Sequence, residues 1–107
     1  MLACVTVLLA SCEKDYTKVD NLVSTTWKCY NIGNVDYALL VFTSTNTVEF
    51  WIKEAGEPEY QAGTFSYSVY SNRIHFTYED EVMFTGLIDK DTITVTIEDE
   101  TGIFVKE

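Results

Sequence analysis

Thr92-Ile93-Thr94-Val95-Thr96-Ile97 decides the fold. Ile93, Val95 and Ile97 alternate with three threonines, so one face is apolar and the other hydroxylated. A period of two is the pattern of a half-buried strand, and β-branched side chains suit a pleated surface. Turn material bounds the stretch on both sides: Asp89-Lys90-Asp91 before it, Glu98-Asp99-Glu100-Thr101-Gly102 after it.

Outward from there the same design repeats. Val82, Phe84 and Gly86 alternate with Met83, Thr85 and Leu87, behind the charged turn Glu79-Asp80-Glu81. Ile74, Phe76 and Tyr78 oppose His75, Thr77 and Glu79, after a tight turn at Ser71-Asn72-Arg73, where Asn tolerates positive φ. Phe65, Tyr67 and Val69 oppose Ser66, Ser68 and Tyr70, and Gly63 allows a bend or bulge near the start of that strand. Ala55-Gly56-Glu57-Pro58 is the clearest loop. Before it, Val48, Phe50 and Ile52 alternate with Glu49, Trp51 and Lys53. Tyr37 to Thr43 is apolar on both faces, and Trp27 shares a face with Cys29 in the first strand. Downstream, Ile103 to Lys106 closes the set.

About eight strands joined by roughly 2–6 residues must pair antiparallel, because a parallel crossover needs a dozen residues or more. No stretch carries a sustained helical stripe. The expected fold is therefore all-β: an antiparallel up-and-down meander of about eight strands closing into a small barrel, which removes the sheet edges. Trp27, Phe42, Val48, Phe50, Phe65, Tyr67, Ile74, Phe76, Phe84, Ile93 and Val95 are the interior candidates. An eight-stranded barrel holds its own side chains or one small ligand. Residues this large predict a filled or nearly filled interior, with Trp27, Phe42, Phe50, Phe65, Phe76 and Phe84 lining any cavity that remains.

The N-terminus reads differently. Met1 to Ala10 is uncharged and mostly apolar, Leu9-Ala10-Ser11-Cys12 follows, and the chain turns polar at Glu13-Lys14-Asp15. The apolar run is too short to span a bilayer, which takes about 20 residues. This order resembles a bacterial lipoprotein signal with Cys12 as the lipid-bearing residue, although no basic residue precedes the apolar run. The alternative is an apolar first strand that ends in Ser-Cys. The signal is the stronger reading because small residues, cysteine and an abrupt polar switch occur in order. It divides the chain into a signal peptide over 1–11, a flexible tether over 12–21 and a barrel domain over 22–107. Glu13-Lys14-Asp15 is similar to the short acidic tags of surface-exported lipoproteins of the Bacteroidetes, which points to the outer membrane and an exposed position on the cell.

The domain also carries a resemblance. Leu22 followed by Ser24-Thr25-Thr26-Trp27 resembles the opening of lipocalin-like domains, where Gly-x-Trp or Gly-Thr-Trp starts the first strand; here Ser24 or Thr25 stands where that family has Gly. Phe42-Thr43-Ser44, Gly63-Thr64-Phe65-Ser66-Tyr67 and the hairpin from Ile88 to Val95 are similar to pieces of small secreted lipocalin-like (calycin-like) lipoproteins of the Bacteroidetes. The resemblance implies an up-and-down barrel and assures no activity, since a fold does not fix a function.

Composition narrows the function classes. The 107 residues carry a formal charge of −10, none of it in residues 1–11. Such a surface repels phosphate backbones and anionic lipid, so nucleic acid is not an expected partner. With Cys4 in the signal and Cys12 lipidated, Cys29 is alone and no intrachain disulfide is available. Cys29 reads as a small buried hydrophobe and His75, the single histidine, as a polar-face residue. No nucleophile elbow, phosphate loop or zinc-ligand spacing is present. The acidic turns at 79–81 and 98–100 lack the spacing of an EF-hand. No catalytic residue, metal or cofactor is therefore expected. Trp51, Tyr70 and Met83 lie opposite the apolar faces of their strands and form a candidate interaction patch. The leading expectation is a lipid-anchored, non-enzymatic binding or accessory module of the cell envelope, with a protein or small hydrophobic ligand as partner. The rivals are an inhibitor of a host or competitor hydrolase, a small hydrophobic-ligand carrier and, last, a small hydrolase.

Overall fold

The computed structural model describes residues 14–107. Cys12, the signal over 1–11 and the start of the tether lie outside the described residues. Eight antiparallel strands run in chain order around one closed barrel. They are β1 (Thr26–Cys29), β2 (Tyr37–Phe42), β3 (Thr47–Lys53), β4 (Tyr60–Tyr70), β5 (Arg73–Tyr78), β6 (Glu81–Asp89), β7 (Thr92–Ile97) and β8 (Glu100–Lys106). The chain thus adopts the expected up-and-down meander, closed as a small lipocalin-like barrel. Closure is made by a short seam in which Trp27 pairs with Lys106 and Lys28 with Val105.

Alternation fills the interior. Trp27, Leu40, Phe42, Val48, Ile74, Phe76, Ile93, Val95 and Phe104 are essentially without solvent exposure, and Tyr67 is buried beside them. Removing a side chain of this size from water is worth about 1.5–3 kcal/mol. Phe42 and Tyr67 meet edge to face with ring centroids 4.9 Å apart. Gly86 is one position where no side chain fits: a Cβ there would lie 3.0 Å from the methyls of both Ile74 and Ile93. Phe50, Phe65 and Phe84 also belong to the interior, but they are half-buried and pack against the core from one end.

Two irregularities shift the expected pattern. Phe76 pairs with Phe84 but Thr77 pairs with Val82, so Met83 is an extra residue in β6. This bulge breaks the alternation and turns Val82 outward with Met83, both more than half exposed. The second bulge lies beside Gly63, where Phe50 pairs with Gly63 and Trp51 with Gln61. In the β4–β5 turn the positive φ belongs to Ser71 (57°) and not to Asn72.

The expected tether differs most. Residues 14–21 fold back across one end of the barrel instead of extending from it. A turn leads into the single-turn helix α1 (Val19–Leu22), whose Leu22 is fully buried. Tyr16 stands edge-on to Trp27 at 5.2 Å, and the Lys106 ammonium lies 5.9 Å from the Tyr16 ring centre. Asn21 holds the turn by donating from Nδ2 to the Asp15 carbonyl at 2.9 Å. Tyr16 and Val19 are apolar enough to repay this docking, which no periodicity announces in so short a stretch.

Ser24 takes φ +67° as the chain leaves α1, and its N–H donates to the Phe42 carbonyl at 2.8 Å. The left-handed region costs a non-glycine residue about 1–2 kcal/mol, so Ser24, rather than Thr25, is the position that glycine would suit. Ser24→Gly is expected to raise stability by about 1 kcal/mol, read as a rise of roughly 4–8 °C in Tm for a domain of this size.

Burial pushes the Tyr67 phenol up to about 12. Its hydroxyl donates to the Ser44 carbonyl at 2.8 Å. Because the folded value lies above the ordinary 10.0, the stability tied to the neutral phenol is whole below pH 10 and lost as pH climbs towards 12. Tyr67→Phe is expected to be less stable at neutral pH by about 1 kcal/mol. Between pH 10 and 12 denaturant titrations should show a shallower loss of stability in that variant than in the parent chain.

Candidate functional site

The barrel has two unlike ends. One carries α1, the β2–β3, β4–β5 and β6–β7 turns and the end of β8, and residues 14–22 close it. The other carries the β1–β2 and β3–β4 loops and the β5–β6 and β7–β8 turns. At this second end lies an open cavity of about 420 Å³. The expected filled interior holds for the closed half only. At the open end the small residue Ala38 leaves space that larger residues fill elsewhere.

Inward-facing positions supply the floor: Ala38 from β2, Phe50 and Ile52 from β3 and Ile97 from β7. Ile32 and Val35 on the β1–β2 loop form an apolar flank, and Glu98 and Asp99 on the β7–β8 turn with Glu100 at the start of β8 form an acidic one. The two flanks are tied together. Glu100 Oε1 accepts from the Gly33 N–H at 2.9 Å, with Gly33 at φ +62°. Asn31 Oδ1 accepts from the Ile103 N–H at 3.4 Å and from the Cys29 thiol at 3.0 Å. The mouth is therefore set by side chain–backbone bonds between the first loop and the last strand.

Of the six aromatic residues expected to line a cavity, Phe50 does so. Phe65 and Phe84 stand beside it at the same end, 5.2 Å apart and edge to face, and Phe84 stacks on Phe76 at 4.7 Å. Trp27 and Phe42 belong to the closed half, packed with α1 and Tyr67.

Trp51, Tyr70 and Met83 do not form one patch. Trp51 is half-buried among Leu39 and Gln61, and its Nε1–H donates to Glu49 Oε1 at 2.9 Å. Tyr70 lies nine residues beyond Gln61 on β4, roughly 30 Å of strand. Met83 sits on the β6 bulge, two strands further round. All three face outward, but the length of β4 and the curvature of the barrel keep them apart. An exposed tyrosine, Tyr30, and a half-buried one, Tyr37, do gather on the outside: Lys28 Nζ lies 4.1 Å from the Tyr37 ring centre and 5.2 Å from that of Tyr30. The Tyr37 hydroxyl donates to Glu59 Oε1 at 2.7 Å, which raises the phenol pKa. The outward position of Tyr30 follows from the alternation about Trp27 and Cys29; that the first loop brings Tyr37 beside it does not.

Cys29 and the single histidine, His75, are on opposite faces of the sheet. Cys29 is buried inside, and burial pushes its thiol pKa up. His75 faces outward between Ser68 and Thr85, with Tyr70 edge-on at 5.4 Å. Its Nδ1 is buried with no hydrogen-bond partner among the described residues. Neither lines the cavity. Among the described residues no three His, Cys, Asp or Glu side chains converge as a metal site requires.

No protein-family model matches the chain, and no curated protein or solved structure matches it.

Thiol reagents report the state of this interior. In a chain carrying Cys4→Ser and Cys12→Ser, Cys29 should react with an aromatic disulfide at least 100-fold more slowly than a free peptide thiol, and fully once guanidinium unfolds the barrel. Equal rates in the folded and free forms would place Cys29 at the surface.

Proposed function

We propose that this protein is a lipid-anchored, non-enzymatic binding module of the cell envelope that takes a small, largely apolar ligand. The cavity of about 420 Å³ at the open end carries this reading. Its size is that of a small-molecule site, lined by apolar side chains with a few polar groups at one edge. A cavity so lined offers desolvation and shape, and neither Cys29 nor His75 reaches it.

The anchor gives this site an orientation. Lys14 lies at the closed end, where it shares a shallow recess with Ile88 and Lys90. Cys12 is two positions earlier, and two extended residues span at most about 7 Å. A lipid on Cys12 would hold the closed end against the bilayer and turn the cavity outward. The acidic Glu13-Lys14-Asp15 segment supports the outer membrane as the site.

Two measurements test this. Intact mass of membrane-extracted protein should show residues 1–11 removed and a triacyl-sized increment that Cys12→Ala abolishes; an unmodified mass retaining Met1 would contradict the anchor. Nile red should bind the full chain one to one, and Val35→Trp, which crowds the cavity from its loop flank, should weaken binding at least tenfold. Unchanged dye binding in that variant would remove the site.

A further inference from the structure

We infer that the occupant of the open-end cavity is a cationic amphiphile: a small molecule with an apolar body and one positively charged head. This rests on the binding role proposed above for the same cavity.

Charge is segregated along the barrel axis. The four connections at the open end, with the first residues of β6 and β8, carry ten carboxylates. Asp36 is in the first connection, three glutamates are in the second, residues 79–81 follow, then 98–100. The lysines nearest them are Lys28 and Lys53, of which Lys53 lies 3.4 Å from Asp36 and Lys28 is occupied by Tyr30 and Tyr37. The closed end, from the 14–21 segment to the end of β8, carries five carboxylates and five cations. Eight of the ten net negative charges thus belong to the mouth, and the described residues of the closed end balance to zero.

Solubility asks for net charge somewhere on a surface and does not ask for this polarity. At the mouth the charge has a chemical consequence. A single-signed rim above a low-dielectric floor focuses the field and raises the local concentration of the opposite ion. Glu100 is engaged with Gly33, but Glu98 and Asp99, exposed residues at the cavity edge, have carboxylates with no hydrogen-bond partner among the described residues. A ligand whose apolar body rests against Ala38, Phe50 and Ile97 would place its head at these two groups. A cationic head stays partly hydrated there and gains attraction, an anionic head is repelled, and a neutral head gains neither.

The test compares three heads on one tail. Calorimetric titration of the full chain at low salt with octylammonium, octanol and octanoate should give octylammonium the tightest binding, at least tenfold tighter than octanol, and octanoate the weakest. Raising the salt should narrow the gap, since exposed charges are screened. Glu98→Gln with Asp99→Asn should cut the preference for octylammonium several-fold and leave octanol unchanged, with circular dichroism confirming the fold. Equal binding of octylammonium and octanol, tightest binding of octanoate, or a preference untouched by the double substitution would overturn the cationic ligand and leave the cavity site standing. Failure of all three to bind would overturn the cavity site itself.

Discussion

The seam between β1 and β8 is the constraint on which the rest depends. The other strand pairs are consecutive and would form in any meander. The seam joins the two ends of the sheet through two register pairs, with the Glu107 N–H donating to the Thr26 carbonyl at 2.8 Å. β1 is only four residues long, so its hold on β8 is brief. The loop after β1 extends that hold: Asn31 accepts from Ile103, and Gly33 donates to Glu100. The bonds that finish the closure of the barrel also build the rim of its cavity. Trp27 sits at the seam and is sealed by Tyr16 and Leu22, so closure and plugging of the far end are one packing event.

From this closure comes an unequal interior. The closed half is dense with Trp27, Phe42, Tyr67 and Phe104, and α1 caps it. The open half is lined by Ala38 and the partly buried Phe50, Ile52 and Ile97, and among the described residues no segment folds across it. Polar chemistry follows the same axis. The balanced end is where the chain emerges from residue 14, and the acidic end is where the cavity opens. The cavity, the end at which the described chain begins and the charge are therefore arranged along one direction, and that arrangement supports the proposed binding role more than any single residue does.

Much of this fold was legible in the sequence, because strict alternation in segments such as Thr92–Ile97 leaves one solution for which face is buried. The failures have local physical causes. Met83 as an extra residue shifts every side chain before it in β6, and neither Val82 nor Met83 carries a composition that marks a bulge. Residues 14–21 look like a tether because two apolar residues among polar ones have no period; only the edge of Trp27, which Tyr16 covers, gives that tyrosine a reason to dock. The site was legible in part. Large interior aromatics spoke for a filled barrel, yet their distribution between two ends depends on the stagger of the strands, and the gathering of four acidic connections at one mouth depends on which ends of the strands they join.

Backbone nuclear Overhauser effects across the seam test the account most directly. A closed barrel predicts contacts between Trp27–Lys28 and Val105–Lys106 as well as along the seven consecutive hairpins. Seven hairpin ladders without the seam contacts would describe an open sheet, whose first loop and last strand never meet and which has neither a plugged end nor a cavity.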